Sequence, residues 1–122
     1  KLFENGSKAL VGSYFSNHYS VEDPDPKVME FINKYKKLYN NELPDSMAVL
    51  GYDAVMVLLD ALKRAKSFSR PDIRDAIAAT KDFKAVTGMI SIDSHRNASK
   101  AAVIVEVTDG GGLKFVTRVD PT

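Results

Sequence analysis

Cysteine is absent from this sequence, histidine occurs only twice, and no apolar run is long enough to cross a bilayer. Without cysteine there can be no disulfide, no thiol nucleophile and no thiolate-bound zinc. The absence suits an oxidising compartment but does not demand one. His18 and His95 both fall in polar stretches, and neither has a second histidine at metal-ligand spacing, so each reads as a solvated surface group. An excess of one charge is missing as well: 17 basic residues stand against 16 acidic ones, interleaved along the chain, for a net charge of +1. Nucleic acid and anionic membrane are therefore not expected partners. There is no internal repeat and no low-complexity linker. The chain does have the means to build a core, since 122 residues with 44% apolar content fit one ordinary domain and argue against disorder.

The strand signals are unevenly placed. One pattern, Ala9-Leu-Val-Gly-Ser-Tyr-Phe15, stands near the start; two more, Ala101 to Val107 and Leu113 to Val119, stand near the end. Asp109-Gly-Gly-Gly112 joins the last two and is a hairpin signal. A strand cannot leave its N–H and C=O groups buried and unpaired, so the first one needs a partner that this chain need not contain. The opening Lys1-Leu-Phe-Glu-Asn-Gly-Ser-Lys8 reads as the tail of a helix entering a glycine turn, as if the chain began inside an element.

Between these ends the pattern is helical. Asp25 is an N-cap with Pro26 at the first helical position; Val28, Phe31, Ile32, Tyr35, Leu38 and Tyr39 form an apolar stripe, and Asn40-Asn41 ends it. Asp45 or Ser46 caps a second helix from Met47 to about Lys66, apolar to Leu62 except at Gly51, Asp53 and Asp60. A helix apolar around most of its circumference is expected to be central, covered on several sides. Ser69 caps a third helix that ends near Thr80, with Ile73, Ala76 and Ile77 as its stripe. Met89 to Asp93 reads as extended and Ser94 to Lys100 as a polar turn.

Catalysis needs convergent groups, and few are available. Asp53 and Asp60 lie about two helical turns apart on nearly one face. The structural reading is better for both: Asp53 bonds a neighbouring loop, and Asp60 pairs with Lys63 or Arg64 or is exposed. The glycine run at 110–112 lacks the strand-to-helix context of a phosphate cradle. Asn5-Gly-Ser7 and Asn97-Ala-Ser99 match the glycosylation acceptor pattern, which arises often by chance. Tyr14 and Tyr19 flank the exit of the first strand and are placed to face a cleft. No catalytic residue, metal ligand or cofactor is expected, and the chain does not read as an enzyme.

Several short motifs stand in a telling order. They are Gly12-Ser-Tyr-Phe-Ser16 with Asn17-His-Tyr-Ser20, Phe31-Ile-Asn-Lys-Tyr-Lys-Lys-Leu-Tyr39, Pro44-Asp45, Tyr52-Asp53-Ala54, and Ile73-Arg-Asp-Ala-Ile77. Val86-Thr-Gly88, Asp93 with Arg96-Asn97, Lys100-Ala-Ala-Val-Ile104, Asp109-Gly110 and Lys114-Phe-Val116 follow. Together they cover almost the whole chain. The series resembles the C-terminal part of the branched-chain amino acid (leucine/isoleucine/valine) substrate-binding proteins of ABC transporters, which are class I periplasmic binding proteins.

That resemblance implies an α/β fold of two lobes joined by three crossovers, of which this chain supplies a C-terminal segment only: about three helices, a lone N-terminal strand and a β-ribbon. Residues 1–88 would be the C-terminal portion of lobe 1 with the second crossover, and residues 89–122 the third crossover and the ribbon of lobe 2. The first strand and the ribbon would then sit in different lobes, each seeking other partners. The implied function is the extracytoplasmic (periplasmic or cell-surface) solute-binding component of an ABC transporter, with an amino acid or organic acid as ligand and the membrane permease as partner. The loops that hold the ligand's charged groups in the family lie upstream. The ligand-facing residues implied here are Ser46, Met47 and Ala48 entering the second helix, Tyr52 a turn later, and Tyr14 and Asn17 near the hinge. A sensory ligand-binding domain of a signalling receptor and a strand-exchanged homodimer without a ligand are the competing readings.

Overall fold

The computed structural model describes residues 7–121. The expected helix tail over Lys1 to Asn5, and Asn5 of the first acceptor pattern, lie outside the described residues. A 3-10 turn at Ser7–Leu10 leads to β1 (Tyr14–Asn17), and three helices follow: α1 (Pro26–Leu38), α2 (Ser46–Arg64) and α3 (Arg70–Ala78). Then come β2 (Phe83–Ala85), β3 (Gly88–Ile92), β4 (Ala98–Ser99), β5 (Ala102–Val107), a 3-10 turn at Asp109–Gly111 and β6 (Leu113–Val119). Two three-stranded antiparallel sheets result, in the orders β1-β5-β6 and β2-β3-β4.

The helix starts follow from their caps. Asp25 accepts from the Lys27 amide ahead of Pro26, Asp45 accepts from the Ala48 amide, and Ser69 accepts from the Asp72 amide. Each satisfies one of the amides that a helix start leaves without a partner. α1 ends where Asn40 and Asn41 adopt positive φ, a conformation asparagine tolerates better than most residues.

Three expectations about the strands are corrected. The first strand does not begin at Ala9: Ala9 and Leu10 belong to the 3-10 turn, and the chain turns at Gly12, where φ is +81°. The Ser13 amide donates to the Leu10 carbonyl, so the extended run starts only at Tyr14. A short apolar run such as Ala-Leu-Val does not by itself separate strand from turn. The strand also has its partner within the chain, because Tyr14 pairs with Glu106 and Asn17 with Val103 across an antiparallel ladder. It is therefore joined to the ribbon, not separated from it. Finally, the polar turn after β3 contains a two-residue strand, β4, which pairs Ser91 with Ser99 and Ile92 with Ala98.

The apolar interior is divided. Tyr19, Val28, Ile32, Val49 and Val86 form one cluster, with Phe31 packed against it; Val57, Ala85 and Ile90 form a second with Phe83 and Ile92. On the central strand β5, Val103, Val105 and Val107 are buried, the period-two pattern of a sheet with one covered face. α2 is not enclosed as its composition predicts. Only the stripe Val49, Asp53, Val57 and Ala61 is buried, while Tyr52, Val55, Leu58 and Leu59 are exposed.

Candidate functional site

The β2–β3 turn is tied to α2 by one buried carboxylate. Asp53 is 2% exposed. Its Oδ1 accepts from the Val86 amide at 2.8 Å, and its Oδ2 accepts from the Thr87 amide at 2.9 Å and the Thr87 hydroxyl at 2.8 Å. Three donors on a buried carboxylate hold it as a strut between elements. A second tie crosses to β6, where Arg118 Nη2 donates to Asp23 Oδ2 at 2.5 Å. Gly88 makes room for it: φ there is +116°, and a Cβ would lie 2.8 Å from Arg118 Nη1. Beside this junction Lys100 is half-buried, and desolvation holds its ammonium pKa below the ordinary lysine value. These ties hold α2 to the β2–β3 turn and the loop after β1 to β6.

Where α2 begins, the Ser46 hydroxyl donates to Asn17 Oδ1 at 2.9 Å, so two of the expected ligand-facing residues touch. Asn17 Oδ1 also accepts from the His18 amide at 2.7 Å, which fixes the direction of its side chain. Met47 follows Ser46 and is 69% exposed, so it does not pack beneath the helix. Tyr14 is exposed too, but it is separated from this group. Three residues apart on one strand, Tyr14 and Asn17 project from opposite faces. Tyr19 turns out to be interior: it is 5% exposed, and its hydroxyl donates to the Pro44 carbonyl at 2.9 Å. Burial first, with the carboxylate of Asp45 second, pushes its phenol up to about 12.

Ala48 and Tyr52 face elsewhere. They line an open groove of about 540 Å³ between α1, α2 and β2, with Phe31, Tyr35 and Phe83 among its walls. Tyr52 packs on Phe31 with ring centroids 4.9 Å apart, and Tyr35 on Tyr39 at 4.3 Å. Phe31, Tyr35 and Tyr39 recur every four residues, a spacing that signals a helix face without saying that the face lines a groove. The six expected residues thus fall into a bonded pair (Asn17, Ser46) with the exposed Met47 next in sequence, a groove pair (Ala48, Tyr52) and the separate Tyr14. His18 and His95 are exposed, and Asp60 pairs with Arg64 at 2.7 Å. Among the described residues no group of three or more histidine or carboxylate side chains is placed to hold a metal ion, and no helix is long and apolar enough to cross a membrane.

A segment of helices and small sheets, cross-tied by buried carboxylates and open along one apolar flank, has the construction of one part of a larger α/β binding fold. Comparison with known proteins gives the family. The sequence profile described as periplasmic binding protein matches residues 2–112, and the chain belongs to that family. Its members are substrate-binding components of transporters and not an enzyme class. Among solved structures, the leucine-binding protein LivK of Thermotoga maritima is 37% identical, with a TM-score of 0.81 over 98% of this chain and 34% of that one. LivJ of Streptococcus pneumoniae, solved with isoleucine, is 34% identical with a TM-score of 0.71 over 84% of this chain and 30% of that one. A solute-binding protein of an ABC transporter from Rhodopseudomonas palustris, solved with 3,4-dihydroxybenzoic acid, is 29% identical with a TM-score of 0.77 over 98% and 34%. The chain spans about a third of the length of these relatives.

Proposed function

We propose that these residues are the C-terminal part of an extracytoplasmic solute receptor that delivers a branched-chain or related amino acid to the permease of an ABC transporter. The observation that carries the reading is the likeness to a leucine-binding protein along 98% of the chain at 37% identity. The Asn17–Ser46 contact supports the position of the site, because it sets Met47 at the free edge where β1 meets α2. An adaptable apolar side chain there suits an aliphatic ligand tail. Tyr52 and Ala48 would reach the ligand only from the groove side, and Tyr14 from the opposite face of β1.

In this reading α1, α2 and α3 belong to one lobe, and β1, which shares a sheet with β5 and β6, goes with the ribbon. Ligand shifts the balance from open toward closed lobes, and the closed form engages the permease. Calorimetric titration of the gene product containing this segment with leucine, isoleucine, valine and aromatic carboxylic acids tests it. Heat with an aliphatic amino acid is expected; heat with the aromatic acids alone moves the ligand class, and none with any of them removes the reading. The 122-residue chain by itself is expected to bind weakly or not at all, since the groups that hold the ligand's charges lie outside it. Micromolar binding by the chain alone would contradict that assignment.

A further inference from the structure

The turn between β5 and β6 sets a carboxyl group against the peptide nitrogen that follows it. Across the turn the Thr108 amide donates to the Gly112 carbonyl at 2.9 Å, and the Gly111 amide donates to the Thr108 carbonyl at 3.1 Å. Neither bond uses the Gly110 amide, which donates instead to Asp109 Oδ1 at 3.1 Å. The Asp109 side chain is thus folded back on its own C-terminal peptide bond. Both residues are exposed, and no atom lies within 4 Å of the place a Cβ on Gly110 would take, so no side chain crowds that nitrogen.

Asp109 is the one aspartate in the sequence that glycine follows. Asp45 and Asp93 precede serine, and their carboxylates are engaged further along the chain, with the Ala48 amide and with the amides of His95 and Asn97. Asp23, Asp25 and Asp120 precede proline, whose nitrogen carries no proton to lose.

We propose that Asp109 is a site of spontaneous covalent modification, which isomerises to a β-linked isoaspartate through a cyclic imide closed by Gly110. In the acid form of Asp109 the Gly110 nitrogen attacks Cγ. The N–Cγ bond forms, and the nitrogen's proton and the carboxyl hydroxyl leave together as water. A second water then adds to the imide at the former main-chain carbonyl, whose bond to nitrogen breaks. That carbonyl becomes a free carboxylate, and the chain now runs through Cβ and Cγ. Water lost is water regained, and no oxidant, reductant or cofactor is needed.

The turn has no slack for the extra backbone atom. Gly110 and Gly111 both have positive φ, and a Cβ on Gly112 would lie 2.7 Å from Thr108 Oγ1, so the loop is closed as tightly as glycine allows. Isomerisation is expected to break the Thr108–Gly112 bond and to free the Val107–Leu113 end of the ladder.

The test uses the complete gene product that contains this segment, held for weeks in neutral buffer below its melting temperature. Asn5→Gln removes the Asn5-Gly6 pair, which would form an imide of its own. A methyltransferase specific for isoaspartate labels the product, and peptide mapping locates the label. Label at Asp109 is expected to exceed that at Asp45 or Asp93 by about tenfold, the advantage of a nitrogen already placed beside the carbon it attacks. Label at Asp109 no greater than at those two overturns the proposal. Asp109→Glu would need a larger ring and should abolish the label at this position without lowering the melting temperature; label that persists there overturns it as well. Asp109→Asn keeps the geometry with ammonia as leaving group and should convert faster than the parent. An Asp109→Asn protein that stays unconverted means that the Gly110 nitrogen does not reach Cγ. None of these outcomes depends on whether the protein binds an amino acid.

Discussion

Asp53 shows how one residue can hold two elements together. Its carboxylate occupies the Val86 and Thr87 amides and the Thr87 hydroxyl, so Asp53→Ala would bury three donors without an acceptor. A loss of about 3 kcal/mol is expected, read as a lower urea midpoint at unchanged slope. Asp53→Asn keeps one acceptor oxygen and should cost less. Tyr19 gives a pH signature. Its folded pKa is raised from 10.0 to about 12, so the phenol is neutral in both states below pH 10 and ionises first in the unfolded chain above it. Stability from this group is therefore complete below pH 10 and falls as pH rises from 10 toward about 12. Tyr19→Phe should lower stability near neutral pH by about 1 kcal/mol, through the lost bond to the Pro44 carbonyl, and should flatten the alkaline decline. Urea midpoints across that range check both; an unchanged alkaline slope would assign the decline to other groups.

Among the elements, α2 carries most of the consequence. Its start depends on Asp45, whose side chain takes the Ala48 amide at 2.8 Å. Asp45→Ala is expected to cost about 1 kcal/mol and to loosen the Ser46–Asn17 contact, visible as faster amide exchange at residues 46–48. The caps were legible in sequence because each uses local chemistry: Asp25 before Pro26, Ser69 before Pro71, and Asp45 or Ser46 before the apolar run, of which Asp45 is the cap. The roles of Asp53 and Asp60 were legible for a similar reason, since a buried carboxylate needs donors and Arg64 lies one turn from Asp60. What lay beyond local pattern was position in space. An apolar helix surface records that something should cover it, not what does, so α2 read as enclosed although one flank is open. Likewise Ala9-Leu-Val has the composition of a strand, and only the turn at Gly12 removes its first residues from the ladder. For the site, the resemblance set Ser46 and Met47 at the entry of α2 and Asn17 apart near the hinge, and the bond between Asn17 and Ser46 is visible only in the fold. Strand alternation put Tyr14 on the other side, and the aromatic groove went unread because its four-residue spacing is also that of an ordinary core face.

At the scale of the whole molecule, the apolar interior is split into two small clusters, and buried polar ties run beside them: Asp53 to the β2–β3 turn, and Asp23 to Arg118. Such a segment is expected to lean on whatever covers its open flank. The pairing of β1 with β5 carries a further consequence, in time instead of space. Tyr14 meets Glu106, so all three helices and the second sheet are strung between the two halves of one ladder. Contacts of such long range form late, because the loop must close before they repay its entropy. On the ribosome, β1 emerges well before its partner and must wait while the rest of the segment is made. Pulsed hydrogen exchange during refolding should find the amides of β1 protected after those of α1, α2 and α3; simultaneous protection would mean that the ends meet early. The strand nearest the start of the described chain is thus expected to be among the last parts to take its place.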